Sequence, residues 1–217
     1  MPTPAACLFD LDGLLLDTEP LHAQAWREAA ATFATALSDG DLLHLRGRRR
    51  VDCVALVRGW IEGRTGLPAP SEAALLAVQQ PIARRLIPGA LPVEGAQALV
   101  SSCQQRGVPM ALVTSSTSEA VAFKCAPHPW LGMIHLRVMG DDPELALGKP
   151  APDPFLLAAR RLQVSPQECW AFEDSPAGAQ SAVLAGCQVH VLLAPGLVCG
   201  DYPAGVRCWQ SLQEVDL

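Results

Sequence analysis

Five short apolar runs set the strongest limit on what this chain can fold into: ACLFDL (6–11), VPMALVT (108–114), IHLRVM (134–139), CWAFED (169–174) and QVHVLL (188–193). Between them lie longer amphipathic stretches, GAQALVSSCQQRG, TSEAVAFKC, DPFLLAARRLQ and AGAQSAVLAG, several closing on the glycine that commonly ends a helix. Near-continuous apolar strands alternating with helices are the pattern of a parallel sheet covered on both faces. The expected fold class is therefore α/β, with a Rossmann-like parallel sheet as its core.

The alternation is broken once. From Gly13 to about Leu91 no strand-like run occurs, and four helical stretches follow one another: EPLHAQAWREAAATFATAL, DGDLLHLR, VDCVALVRGWIEG and SEAALLAVQQPIARRL. This predicts a helical cap domain of residues 14–91 inserted into a core of residues 1–13 and 92–217. Gly13 on one side and Pro88, Gly89, Pro92 and Gly95 on the other are suitable linkers for a cap that moves.

Half the residues are hydrophobic and 18% are charged, which excludes a disordered chain. A net charge of −6 argues against nonspecific nucleic-acid binding and makes Arg48, Arg49 and Arg50 a local feature. With neither a basic leader nor a run of about 18 apolar residues, a cytoplasmic protein without membrane spans is expected; the oligomeric state is open, a monomer being compatible. The eight cysteines form no CxxC pair and lie mostly in apolar runs, so they are expected to be reduced, buried thiols.

In an open parallel sheet, ligands bind at the carboxyl ends of the strands. Three apolar runs end there in polar clusters: Asp10 and Asp12, Thr114 and Ser115, Glu173 and Asp174; a fourth cluster, GDDPELALGKPAPDPF, carries Lys149. Any single aspartate could be a solvated turn, but four clusters in one plane suggest a site. The GK pair is no phosphate-binding P-loop, because Pro143 stands where a glycine is required and Pro150 where Ser or Thr should be.

The order DLDG, TSS, GKPAPD, FEDS resembles the haloacid dehalogenase-like phosphatase superfamily, and the helical insertion after the first motif resembles its subfamily IA, β-phosphoglucomutase-like branch. The resemblance implies a Mg²⁺-dependent phosphatase of a small phosphorylated metabolite, with a sugar phosphate the favoured substrate. Asp10 would be nucleophile and metal ligand, Asp12 the general acid and base with its backbone carbonyl on the metal, and Asp174 a further ligand. Glu173 would be a direct or water-mediated ligand. Thr114, Ser115 and Lys149 would hold the phosphoryl oxygens. Arg50 matches a cap arginine that binds a remote substrate group. His22 matches a histidine of cap closure and proton transfer, although a lone helical histidine also suits packing.

A phosphosugar mutase is the alternative activity, but the cap lysine expected before the return linker has no counterpart; Arg84 or Arg85 would have to substitute with a different geometry. A dehalogenase would need neither Asp12 nor Mg²⁺. A noncatalytic binding relative would be expected to have lost Asp10 or Asp12, and both are present.

Overall fold

In a computed structural model describing residues 3–217, the first apolar run becomes β1 (Ala6–Phe9), buried along its whole length. It lies inside a six-stranded sheet with β2 (Met110–Val113), β3 (Leu136–Val138), β4 (Cys169–Glu173), β5 (Gln188–Leu192) and β6 (Arg207–Trp209). The order is β3-β2-β1-β4-β5-β6, and every pairing is parallel. Side chains alternate across the pleat: Cys7 and Phe9 join Leu112, Trp170 and Phe172 on one face, while Ala6 and Leu8 join Ala111, Val113 and Ala171 on the other. The rings of Phe9 and Phe172 stack at 5.0 Å across the β1–β4 pair. β6 was not foreseen: three residues, one of them an exposed arginine, carry no strand signal until β5 supplies their register.

Four helices occupy the interruption: α1 (Glu19–Ala31), α2 (Asp39–Leu45), α3 (Arg50–Thr65) and α4 (Glu72–Leu86). Their apolar sides meet in a cluster of their own built on Trp26, Ala29, Leu42, Val54, Ile61 and Leu75. Ser38 closes a capping box with Asp41, and Ser71 accepts from the amide of Ala74, each cap worth about 1 kcal/mol. The first helix was expected to run to Leu37. It stops at Ala31, where Thr32 Oγ1 donates back to the Ala29 carbonyl at 2.7 Å and Ala34 takes a positive φ of 54°.

The remaining helices, α5 (Ala96–Gln105), α6 (Ser118–Cys125), α7 (Asp153–Leu162) and α8 (Pro176–Ala185), flank the sheet, with α5 on the Phe9 face and α7 and α8 on the other. The two chain crossings into the helical layer run side by side. Leu16 bridges to Pro92 in antiparallel fashion, the Asp17 amide donates to Leu91 O at 2.8 Å, and the Val93 amide to Leu15 O at 3.1 Å. Leu14, Leu15 and Leu16 are buried in the same cluster as Phe9 and Phe172.

The expectation of reduced cysteines needs one correction. Cys199 and Cys208 form a disulfide, their Cα atoms 5.9 Å apart, because the turn after β5 folds back against β6. Sequence spacing could not disclose this, since the pair depends on that unforeseen strand. The other six cysteines are free.

Candidate active site

The strand order places the site. β1 lies between β2 and β4, and the chain turns to opposite sides of the sheet at the β1–β4 boundary, the place where an open α/β sheet forms a crevice. Asp10 follows β1, Thr114 follows β2, and Glu173 and Asp174 close β4, so four polar groups from three adjacent strands share one edge. Between this edge and the helical layer lies a cavity of about 1050 Å³, with Asp10, Asp12, Thr114 and Ser115 from the core and His22 and Arg50 from the helices among its walls.

Under the cavity, Lys149 is fully screened from solvent. Its Nζ donates to Asp10 Oδ1 at 2.6 Å, Glu173 Oε1 at 2.5 Å and the Val113 carbonyl at 2.9 Å. Burial acts against the ammonium, yet Asp10 and then Glu173 outweigh it and raise its pKa. Burial also pushes the Asp10 carboxyl well above the ordinary range; Lys149 opposes this, and Glu173 and Asp174 add to it. The Asp174 carboxyl is pushed up to about 6 by burial, with Arg46 opposing and Glu173 adding.

These shifts describe a crowd of acids with too little positive charge among them. Asp10, Glu173 and Asp174 each present an oxygen, and the three oxygens lie within 4.8 Å of one another. Asp174 Oδ1 is buried without a hydrogen-bond partner. An all-oxygen set with a vacant buried lone pair fits a hard divalent cation. Two glycines make the room. A Cβ at Gly13, whose φ is +82°, would collide with the Asp174 carboxylate, and one at Gly178 would fall on the carboxylate of Glu173. Ser175 fixes that last turn, capping α8 through the Gly178 amide at 3.0 Å and donating to Glu173 Oε2 at 3.2 Å.

Asp12 has a different environment. Burial alone would raise its pKa, but Lys124 and then His22 hold the carboxyl well below the usual range. Thr18 Oγ1 donates to Oδ1 at 2.5 Å and Ser116 Oγ to Oδ2 at 2.9 Å. His22 Nε2 lies 3.5 Å from Oδ1, and burial followed by Lys124 pushes its own pKa down. The two aspartates of DLDG are thus separated electrostatically: one is crowded by acids, the other surrounded by donors.

The helical layer touches the site at its second connection. Arg46 Nη2 donates to Asp174 Oδ2 at 2.5 Å, and Ser115 Oγ to the Gly47 carbonyl at 2.9 Å. The Ser115 hydroxyl therefore ties core to cover. Arg50 starts α3 with its side chain exposed beside the cavity, whereas Arg49 pairs with Asp52 at 3.2 Å and Arg48 donates to the His44 carbonyl. Arg84 and Arg85, the substitutes considered for the missing cap lysine, pair with Glu119 and Glu28.

Lys124, Ser116, Thr18 and Arg46 were not predicted as site residues. A signal existed for Lys124, one of two lysines against fourteen arginines, both of which the fold buries at the site. Ser116 and Thr18 are common polar residues, and Arg46 acts across a separation of 128 positions.

A family model described as haloacid dehalogenase-like hydrolase matches residues 4–186. Hexitol phosphatase A of Escherichia coli is 32% identical over 210 residues, covering 97% of this chain and 88% of that protein. The mitochondrial (DL)-glycerol-3-phosphatase 1 of Arabidopsis thaliana is 30% identical over 192 residues, 87% of this chain; the match spans 63% of that relative, less than two thirds of its length. The crystal structure of CbbY from Rhodobacter sphaeroides in complex with phosphate superposes with a TM-score of 0.76 at 25% identity, covering 97% of this chain and 96% of that one.

Proposed function

The chain belongs to the haloacid dehalogenase-like hydrolase family, and on that premise we propose that it is a Mg²⁺-dependent phosphatase of small phosphorylated metabolites, with sugar or polyol phosphates the favoured class. One observation carries this: Asp10 stands on the cavity floor against a buried lysine and two further acids, with Asp12 beside it held by its own set of side-chain donors.

In the proposed reaction an Asp10 carboxylate oxygen attacks phosphorus while the bond to the substrate oxygen breaks, giving an aspartyl phosphate. Asp12 supplies the proton that the departing alkoxide takes. A water then attacks phosphorus, gives its proton to Asp12, and frees Asp10 and inorganic phosphate. Asp12 is held ionised in the empty site, the form that activates water; an entering phosphate dianion favours its protonation by charge repulsion, the form that serves the leaving oxygen. Lys149 keeps Asp10 in place from beneath the cavity, its ammonium charge lying close under the phosphoryl group, while Thr114 and the Ser115 amide would face the phosphoryl oxygens. Asp10, Glu173, Asp174 and the Asp12 carbonyl would hold Mg²⁺, which supplies the positive charge needed between a carboxylate and a phosphate.

Residues 14–91 act as a cap over a core of 1–13 and 92–217, excluding water and presenting Arg50 to the distal part of the substrate and His22 to Asp12. No helix among the described residues is long and apolar enough to cross a membrane. Six of the eight cysteines are unpaired, which fits the proposed cytoplasmic setting, whereas the Cys199–Cys208 disulfide does not add to it. The test is phosphate release from a panel of sugar, polyol and short alkyl phosphates, with and without Mg²⁺ and a bisphosphate primer. Metal-dependent release without a primer is expected, and Asp10→Asn should abolish it. Primer-dependent isomerisation without phosphate release would instead establish the mutase.

A further inference from the structure

Lys124 lies on α6, near its carboxyl end, and its side chain is 3% exposed. Its Nζ reaches both oxygens of Asp12, at 2.6 and 2.7 Å, as well as Ser116 Oγ at 2.9 Å and His22 Nε2 at 3.3 Å. Asp12 is the acid with which it pairs. Removing an ammonium from water is costly, and a buried ion pair is commonly no more stabilising than apolar side chains of the same volume. The fold therefore has little to gain from this pair, whereas a reaction can gain a fixed carboxylate. The other ligands of Asp12 divide by origin: Thr18 and His22 belong to the start of α1, but Ser116 and Lys124 stand on the same sheet edge and flanking helix as Asp12 itself.

Resting on the assignment of Asp12 as proton donor to the leaving oxygen, we propose that Lys124 is a positioning residue for that transfer. By engaging both carboxylate oxygens from the core, it fixes the Asp12 side chain about its terminal torsion and keeps it aimed along the cavity floor, independently of where α1 stands. Proton transfer is sensitive to the donor's direction and distance, so a loosened Asp12 penalises substrates in proportion to how much their leaving oxygen needs the proton.

The experiment is the dependence of kcat/KM on leaving-group pKa across alkyl and aryl phosphates, measured for wild type, Lys124→Met, Lys124→Arg, Asp12→Asn and the double variant Asp12→Asn/Lys124→Met. This parameter reports the steps through aspartyl-phosphate formation and excludes its hydrolysis. Lys124→Met should lower kcat/KM for alkyl phosphates by about 10-fold to 100-fold more than for p-nitrophenyl phosphate, a fraction of the full general-acid effect. Any loss common to the whole series reports the missing charge near the phosphoryl group. Lys124→Arg should recover part of the leaving-group-specific loss, and the double variant should be no more leaving-group-sensitive than Asp12→Asn alone.

A uniform loss across the series, or a double variant whose leaving-group effects multiply, would overturn the proposal. If Asp12→Asn keeps the wild-type leaving-group dependence while Asp10→Asn is inactive, the assignment of Asp12 fails and the positioning role falls with it. If Lys124→Met does not fold, Lys124→Gln and Lys124→Arg carry the comparison, and wild-type leaving-group dependence in both refutes it.

Discussion

His190 makes the protein acid-sensitive at a place remote from the reaction. It sits on β5 and is 1% exposed, between Trp170 at 4.4 Å and Phe172 at 5.0 Å on β4, with Trp209 on β6 stacked at 6.0 Å, all as centroid separations. Trp209 Nε1 donates to His190 Nδ1 at 3.2 Å, and His190 Nε2 is buried without a partner. Protonation would place an N–H where Nδ1 now accepts and bury a cation among three aromatic rings and beside Arg207, its parallel partner on β6. Burial, with Arg207 adding, pushes the pKa down from 6.5 to about 4. A base with a depressed folded pKa contributes fully above its unfolded pKa and loses that contribution as pH falls toward the folded value. The window is therefore about pH 6.5 to 4. The total is about 3 kcal/mol, of which about 2 kcal/mol is lost between pH 7 and pH 5. Urea denaturation at both pH values, for wild type and His190→Gln, isolates this part, because the carboxyl groups of the site are common to both proteins. Wild type should lose about 2 kcal/mol more than the variant on acidification. Parallel pH dependences would show that the histidine is not the group being titrated.

Gly178→Ala should cripple turnover while leaving the far side of the sheet intact, because the new methyl group occupies the space of the Glu173 carboxylate; a loss of about 100-fold in kcat at fixed Mg²⁺ is expected, and an unaffected rate would mean that Glu173 is free to move. Arg50→Ala should lower kcat/KM for the best sugar phosphate by about 10-fold to 100-fold, equivalent to about 1.4 to 2.7 kcal/mol, and leave acetyl phosphate hydrolysis nearly unchanged. Equal effects on both substrates would remove Arg50 from substrate selection. Tyr202→Phe removes the buried hydroxyl that donates to the Asp174 carbonyl at 2.8 Å and accepts from the Ala194 amide at 3.3 Å, so unfolding should require about 1 to 3 kcal/mol less; a change below about 0.5 kcal/mol would be inconsistent with that network.

Much of the sheet was legible because strands covered on both faces are written as apolar runs. CWAFED and ACLFDL could be identified without knowing that Phe9 and Phe172 would stack. The residues at their ends were legible for the same reason: an acid terminating a buried run is conspicuous. What sequence could not reveal was which polar residue meets which across the fold. Lys124 lies in an unremarkable helical stretch, and only the pairing of β1 with β2 carries α6 to Asp12. Arg46 gave no sign of its role in the sequence, because its partner, Asp174, lies far along the chain. The Cys199–Cys208 bond and Tyr202 were hidden because they depend on β6, which carries almost no pattern of its own.

The adjacency of Leu16 and Pro92 means that the polypeptide leaves the sheet and returns to it at nearly one point. With its own apolar cluster and both stems joined by main-chain hydrogen bonds, the helical segment hangs on a single short stalk. Such a stalk confines rigid-body motion to a swing or twist about one axis, like a door on one hinge. It also makes the segment exchangeable: joining the two stems by a tight turn would leave the sheet's connectivity unchanged, and another insert could be grafted there without altering the edge that bears Asp10. On the proposed assignment, with Asp10 on the sheet edge and Arg50 on the helical segment, the chemistry and the choice of substrate would lie on parts of the chain that natural selection can alter separately.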